Sequence, residues 1–401
     1  MFIKEAKSLK SLKLHLQLIR LICEPPSNSL VMNLKGQVKF INRDKNQFFA
    51  TVRNRVETYF KENNISKDGN GTLVSKTIVL LLMYSLPLIL IVLFQPVYWV
   101  SLLLWLLMGV GMAGVGMSVM HDANHGAYSN NKTLNNLMSH VLNLLGSSRF
   151  NWKLQHNILH HTYTNITYID EDIADKGVLR FSPHTKVKPI HRLQWLFAFF
   201  FYGITTLYWV TVKDFLQYFR YKKNGVNANS KKQNIVVFAK LVAVKLVYFF
   251  IFLVVPVVFF DLPFVQILVG FLVMHFVAGV ILTVTFQLAH SVEGTTHPLP
   301  NENGIIENDW AIHQMNTTIN FARNNKLLSW YIGGLNFQVE HHLFPRISHV
   351  HYPRISPIVK QTAEEFGIPY LENKTFGKAI KSHITFLQNL GKLPNINEAI
   401  A

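Results

Sequence analysis

The chain has 401 residues, of which 49% are hydrophobic, 13% aromatic and only 15% charged. Soluble proteins carry about 25% charged residues, and here the deficit is concentrated in long apolar runs, which excludes a uniformly greasy globule and points to membrane segments. The balance of 39 Lys+Arg against 22 Asp+Glu, formally +17, suits nucleic acid or an anionic membrane face, and the apolar runs select the membrane.

Residues 1–31 carry Lys and Leu at near-helical spacing and end in Glu24-Pro25-Pro26, which predicts a surface amphipathic helix. No uninterrupted apolar stretch or small-residue cleavage site follows the positive residues, so no secretory signal is read. Met32 offers a second start, and 1–31 reads as a dispensable extension. Cys23 is the sole cysteine, so this chain alone builds no intrachain disulfide, Cys-rich zinc site or Cys-ligated iron–sulfur cluster. A polar helix within 39–72 is expected to end near Asp68-Gly69-Asn70-Gly71.

From Thr77 to Met120 there is no charged residue. At about 20 residues per span this is room for two transmembrane helices, about 77–95 and 97–119, turning at Gln95-Pro96. Leu241 to Ala289 supplies a second pair, about 241–260 and 264–288, turning at Asp261-Leu262-Pro263. Lys245, near the start of the first of these, is expected to snorkel to the interface. The two turns hold none of the Lys or Arg residues, so the N-terminal, central and C-terminal regions, and with them both termini, fall on the cytoplasmic side. That requires the apolar segment at about 195–212 to be interfacial or re-entrant. The expected division is an N-terminal cytoplasmic region, 1–75, and a membrane domain, 76–401.

Gly109-Val110-Gly111-Met112-Ala113-Gly114 matches G-x-G-x-x-G literally, but it lies inside an apolar span with no βαβ context. Small residues there let helices pack closely.

The histidines carry the chemistry. His121 and His125 stand at i and i+4 where the second span ends. His156-Asn157-Ile158-Leu159-His160-His161 puts three imidazoles within six residues, with His156 and His160 on one face if helical. His290 follows the fourth span, and Gln338-Val339-Glu340-His341-His342 forms a third cluster. All fall on the side assigned by charge. Eight histidines exceed the four to six ligands of one metal, so two metals fit better, and an all-nitrogen shell suits iron more than structural zinc. Asp122, Glu340, Asp170, Glu171 and Asp172 are candidates for holding imidazole N–H groups, with plain solvated charge the favoured reading for the last three. His275 reads as a bundle-packing or acyl-tunnel residue, and His349 and His351 as surface groups or supports for the ligands. His140, His184, His191, His297 and His313 have no partner at ligand spacing.

The three boxes, H-x3-H, H-x3-HH and Q-x2-HH, together with Trp152, Gln155-His156-Asn157 and Phe337-Gln338-Val339-Glu340-His341-His342-Leu343-Phe344-Pro345, resemble those of the membrane fatty-acid desaturases from about Val38 to Tyr370. Gln338, where many members have His, resembles the front-end subgroup, which desaturates between an existing double bond and the carboxyl end. The resemblance implies an all-α integral membrane protein, with four transmembrane helices and a cytoplasmic helical cap carrying a His-rich di-iron site. It implies metal ligands His121, His125, His156, His160, His161, His290, His341 and His342, with Gln338 binding or orienting. It also implies two non-haem Fe ions, O2 as co-substrate and a fatty acyl substrate on CoA, ACP or a glycerolipid. Family members carry an Asn four residues before the extra histidine; here that position is Phe286, with Gln287 beside it. His297-Pro298-Leu299-Pro300 lacks both glycines of the HPGG haem motif, so electrons are expected from a separate ferredoxin or cytochrome b5 with its reductase, steered by Lys153, Arg323, Lys326 and Arg346. No nucleic-acid partner is expected. A hydroxylase or oxygenase on the same scaffold is the alternative. A metal transporter is disfavoured because its ligands belong at mid-membrane depth.

Overall fold

The computed structural model describes residues 38–41, 47–174 and 177–394. The expected extension 1–31, with Cys23 and Met32, lies outside them. β1 (Lys39–Phe40) is followed by α1 (Phe48–Glu62), whose Phe48, Val52, Val56 and Phe60 recur once per turn and are buried. That stripe forms a separate apolar core with Phe337, Val339, Ile355 and Val359, as an amphipathic helix on a cap should. α1 stops at Glu62, short of the expected end near Asp68, because Asn63 closes its last turn and Asn64 takes a positive φ of 50°.

α2 (Gly71–Phe94) starts where the Asn70 side chain accepts from Thr72 N, and ends at Gln95 in a left-handed conformation. α3 (Tyr98–His125) returns antiparallel and widens into a π-helical stretch at Val115–Val119. Within the glycine run, a Cβ at Gly109 would stand 2.6 Å from Met274 O, and one at Gly111 2.6 Å from the Met83–Tyr84 backbone. The run therefore serves close helix approach.

Short helices α4 (Lys132–Ser139) and α5 (Val141–Leu144) lead to α6, residues 149–163, which is π-helical over Lys153–His160. α7 (Pro189–Lys223) is longer than the expected 195–212 element. α8 (Lys231–Phe259) opens with a Ser230/Gln233 capping box, and α9 (Phe264–His290) completes the second hairpin. Among the described residues five helices, α2, α3, α7, α8 and α9, are long and apolar enough to cross a membrane.

Lys245 does not snorkel. Its Nζ is buried against Asp214 Oδ2 at 2.6 Å and the Gly146 and Trp209 carbonyls at 2.6 and 3.0 Å, a partner set that removes the drive toward water. The C-terminal third contains β2 (Ile305–Ile306), α10 (Trp310–Thr317), β3 (Asn320–Phe321), α11 (Lys326–Tyr331), α12 (Gln338–Leu343), α13 (Tyr352–Glu365), β4 (Glu372–Asn373) and α14 (Phe376–Lys392). β1 pairs β2 and β3 pairs β4, both parallel.

The hairpins are registered end to end. Gln95 Nε2 donates to Phe260 O at 2.8 Å, so the α2–α3 and α8–α9 turns lie side by side. At the opposite end, α3 and α9 both terminate in histidine.

Candidate metal centre

Four segments converge on one buried volume: the end of α3, the whole of α6, the last residue of α9 and α12. His121, His125, His156 and His341 form one group and His160, His290 and His342 a second, with the ligand-capable atoms of each group within 4.8 Å of one another. His161 stands between them, its ring 4.7 Å from that of His125 and 4.5 Å from that of His342. All eight predicted imidazoles are thus brought together. In α6 the juxtaposition is not that of an α-helix. The π-helical turn widens the spacing, so that His156 and His160 rings stack at 5.3 Å while standing in different all-imidazole groups, and with the Asp172 carboxylate the two also form a third set of ligand-capable atoms within 4.8 Å.

One ring nitrogen of several imidazoles is tied to an acceptor from another element. His160 Nδ1 meets Asp170 Oδ2 at 3.1 Å, His342 Nδ1 meets Gln314 Oε1 at 2.8 Å, and His290 Nδ1 meets Thr317 O at 3.2 Å. His341 Nδ1 meets the Tyr352 hydroxyl at 3.0 Å. The other nitrogens face inward without a hydrogen-bond partner: Nε2 of His125, His160, His290, His341 and His342, and Nδ1 of His161. Buried polar atoms are nearly always satisfied. Orphaned nitrogens aimed at a common volume are what a metal ion satisfies, so the residues fit the di-iron expectation.

Electrostatics agree. Burial, then repulsion from neighbouring rings, holds His156, His161, His341 and His342 well below the ordinary histidine range. They are neutral donors, the form that binds metal. His160 differs: burial, the largest single influence, pushes it down, but the charge and hydrogen bond of Asp170 together with the charge of Asp172 outweigh it and the net shift is upward.

Asp170 therefore corrects the solvated reading of the Asp170-Glu171-Asp172 run. Its carboxylate is buried, receiving Asn165 N at 3.0 Å as well as His160. Asp172 accepts from Gln155 Nε2 at 2.7 Å and Glu171 pairs with Arg220 at 2.9 Å. Asp122 accepts from His349 Nδ1 at 2.9 Å, and His349 in turn meets Lys76 Nζ at 2.7 Å. His349 is therefore a support and not a surface group. Glu340 turns away from the imidazoles to Asn320 and Tyr370.

Gln338 is buried with Nε2 unpartnered, and Gln287 is buried with Oε1 unpartnered. Phe286 packs its ring 6.2 Å from that of His156. His275 bonds Tyr248 OH at 3.0 Å and Thr206 Oγ1 at 3.2 Å, as a bundle-packing residue would.

Several supports carried no signal at ligand spacing. Gln314 holds His342 and, through Nε2, the His161 carbonyl at 3.2 Å. Asn165, at a left-handed φ of 57° that Asn tolerates, reaches His290 O at 2.9 Å through Nδ2 and Asp170 through its own N–H. It couples the ends of α6 and α9. A hydrophobic stripe would not reveal it.

A helical bundle with membrane-length apolar elements, closed at one end by a dense imidazole cluster, is the architecture of a membrane protein with a histidine-rich candidate metal centre. The fatty acid desaturase family model matches residues 98–374. A sn-1 linoleoyl-lipid 6-desaturase of Arthrospira platensis is 34% identical over 347 residues, 86% of this chain and 93% of the relative. Another sn-1 linoleoyl-lipid 6-desaturase, from Synechocystis sp., is 34% identical over 359 residues, 89% of this chain and 98% of the relative. An acyl-lipid (8-3)-desaturase of Physcomitrium patens is 33% identical over 359 residues, 89% of this chain and 74% of the relative. The chain belongs to the fatty acid desaturase family, and it is a fatty acyl desaturase acting among membrane lipids.

Proposed function

We propose that the chain introduces a cis double bond into a lipid-borne acyl chain, front-end type, with O2 and a di-iron centre held by His121, His125, His156, His160, His161, His290, His341 and His342, and with Gln338 binding or orienting beside them. The observation that carries this reading is that, within the cluster of eight imidazoles, six buried ring nitrogens have no protein hydrogen-bond partner. Iron, when bound, supplies the activation of O2 that an unactivated CH2–CH2 pair demands. The protein's residues do the rest. Asp170, Gln314, Thr317 and Tyr352 orient the rings, Asp170 holds a proton at His160 Nδ1, and burial of the cluster excludes bulk water. The overall conversion takes a CH2–CH2 pair, O2, two electrons and two protons to CH=CH and two waters.

The activities of the relatives, linoleoyl-lipid 6-desaturation and acyl-lipid (8-3)-desaturation, support a glycerolipid carrier and insertion toward the carboxyl end. Electrons come from a separate ferredoxin or cytochrome b5, with Lys153, Lys326 and Arg346 as steering cations. Arg323 is withdrawn from that role, since it is bound at 2.8 and 2.7 Å to both carboxylate oxygens of Glu372.

Four helices cross, α2, α3, α8 and α9, and the metal end is cytoplasmic. The adjacent turns at Gln95 and Phe260 support this reading, because α6 and both ends of α7 then belong to the histidine side. Near one end of α7, Gln194 Nε2 donates to Leu387 O at 2.8 Å; toward the other, Gln217 Nε2 donates to Gln155 Oε1 at 2.7 Å. A helix tied to the cap near each end is interfacial.

The test is expression in a host with a suitable electron donor, followed by gas chromatography with double-bond location. A new double bond on the carboxyl side of an existing one is expected, with turnover of the purified protein requiring the added carrier. An oxygenated product, or turnover on NADPH alone, would overturn the reading.

A further inference from the structure

Arg149 opens α6 and Lys153 follows one turn later, so both project from one face of the helix. Arg149 Nη1 lies 3.0 Å from His140 Nε2 and its Nε donates to Asn124 Oδ1 at 3.4 Å. Lys153 and Lys240 are near enough that, after burial and Arg149, their charges also lower His140. Among the described residues no carboxylate pairs with Arg149, Lys153 or Lys240, although Arg149 and Lys153 are half-buried. Partly desolvated cations crowded without a counter-ion are costly unless an anion joins them.

The surroundings say which anion. Leu134, Leu137 and Leu144, on the short helices that carry His140, are exposed. Tyr84 OH donates to Leu144 O at 2.8 Å, and Lys245 Nζ to Gly146 O at 2.6 Å. The loop before Arg149 is therefore wedged between α2 and α8, whose outward faces carry exposed Leu82, Leu86, Leu246 and Val247. A cation cluster at the rim of so apolar a surface sits at headgroup depth. Its contact with Asn124, the residue before His125, places it beside the metal centre.

We propose that Arg149, Lys153, Lys240 and His140 bind the phosphate of an anionic glycerophospholipid whose acyl chain is the substrate. A guanidinium presents two N–H groups to a phosphate in matched geometry, which a lysine pair reinforces. Anchoring the headgroup beside His125 fixes where along the chain the metal centre acts, the requirement for counting from the carboxyl end. This rests on the lipid-borne substrate reading.

The experiment uses the full-length holoenzyme in bilayers of linoleoyl-phosphatidylglycerol or of uncharged linoleoyl-monogalactosyldiacylglycerol, with saturating electron carrier. Replacing Arg149→Gln, which leaves the carrier-steering Lys153 in place, should raise KM for the phospholipid about tenfold, with kcat, bound iron and KM for the galactolipid unchanged. If that variant does not accumulate, Lys240→Gln, at the exposed edge, should show the same selective rise to a smaller extent. An equal rise on both lipids, no rise on either, or a rise in KM for the carrier alone overturns the site. The last outcome would make it an electron-carrier dock. If the wild type works on linoleoyl-CoA and on neither lipid, the lipid-borne reading fails by itself. Native mass spectrometry then decides the site: phosphatidylglycerol retained by the wild type and lost from the variant upholds a phospholipid site, and equal retention overturns it.

Discussion

The two groups of imidazoles are held by different means. His160, His290 and His342 each lean on an acceptor that another element fixes: the Asp170 carboxylate, the Thr317 carbonyl and the Gln314 amide. In the group of His121, His125, His156 and His341, ring packing dominates. His156 stacks on Trp152 at 4.4 Å, His121 and His341 rings stand 4.5 Å apart, and His121 Nδ1 is 4.0 Å from Asp122. Hydrogen bonds set a ring's rotation, whereas packing limits its volume and leaves more freedom of tilt. The first group is therefore preset for metal and the second is more adaptable.

The largest expected effect removes a member of either group. His160→Ala and His341→Ala should each abolish desaturation and lower bound iron, with the protein still in the membrane fraction. Both lie outside the membrane-length helices, where insertion hardly depends on them. Unchanged iron by elemental analysis in both variants would break the ligand assignment and the comparison with it. A smaller change separates the groups. Asp170→Asn should weaken metal retention or activity by about 10–100-fold, whereas Tyr352→Phe, which removes a neutral partner of His341, should cost less than about tenfold. Chelator titration of bound iron measures both. If Tyr352→Phe releases iron more readily than Asp170→Asn, hydrogen bonding is not what distinguishes the groups.

The same contrast governs what the sequence made readable. Spans, turns and imidazole clusters follow local rules of apolar run length, charge asymmetry and short spacing, and an apolar helix lies over each expected run, although the helix expected from 241 begins at Lys231 and the segment expected at 195–212 extends over Pro189–Lys223. The ring supports obey no local rule. Gln314 lies 28 residues before His342, and Asp170 sits in an acidic run that composition alone marks as solvated. Lys245 looked like a snorkelling residue because Asp214, its partner, is 31 residues away on another helix. Even the role of His160 beside His156 depended on a π-helical turn that an α-helical period does not suggest. Pairings made by the fold were illegible, and these are what orient the site.

The smallest expected effect concerns a support common to both groups. α12 gives His341 to one and His342 to the other, and its Glu340 is bound by Tyr370 OH at 2.7 Å. Arg323 lies over the Tyr370 ring at 5.4 Å and pairs with Glu372. Hydrogen bonding to Arg323, ahead of the cost of burial, lowers the Glu372 carboxyl from its ordinary 4.5. A carboxylate whose folded-state value is depressed adds stability that is fully present above about 4.5 and disappears as pH falls through the depressed value. Arg323→Gln should therefore lower thermal stability in detergent at neutral pH, by less than about 1 kcal/mol for so partly exposed a pair. The difference from the wild type should shrink as pH drops below about 4.5. Because the pair buttresses α12 as a whole, iron should not be lost preferentially from one group. A stability deficit that grows toward acid pH would show that Arg323 acts through a partner other than Glu372. Preferential iron loss would show that α12 serves the two groups unequally.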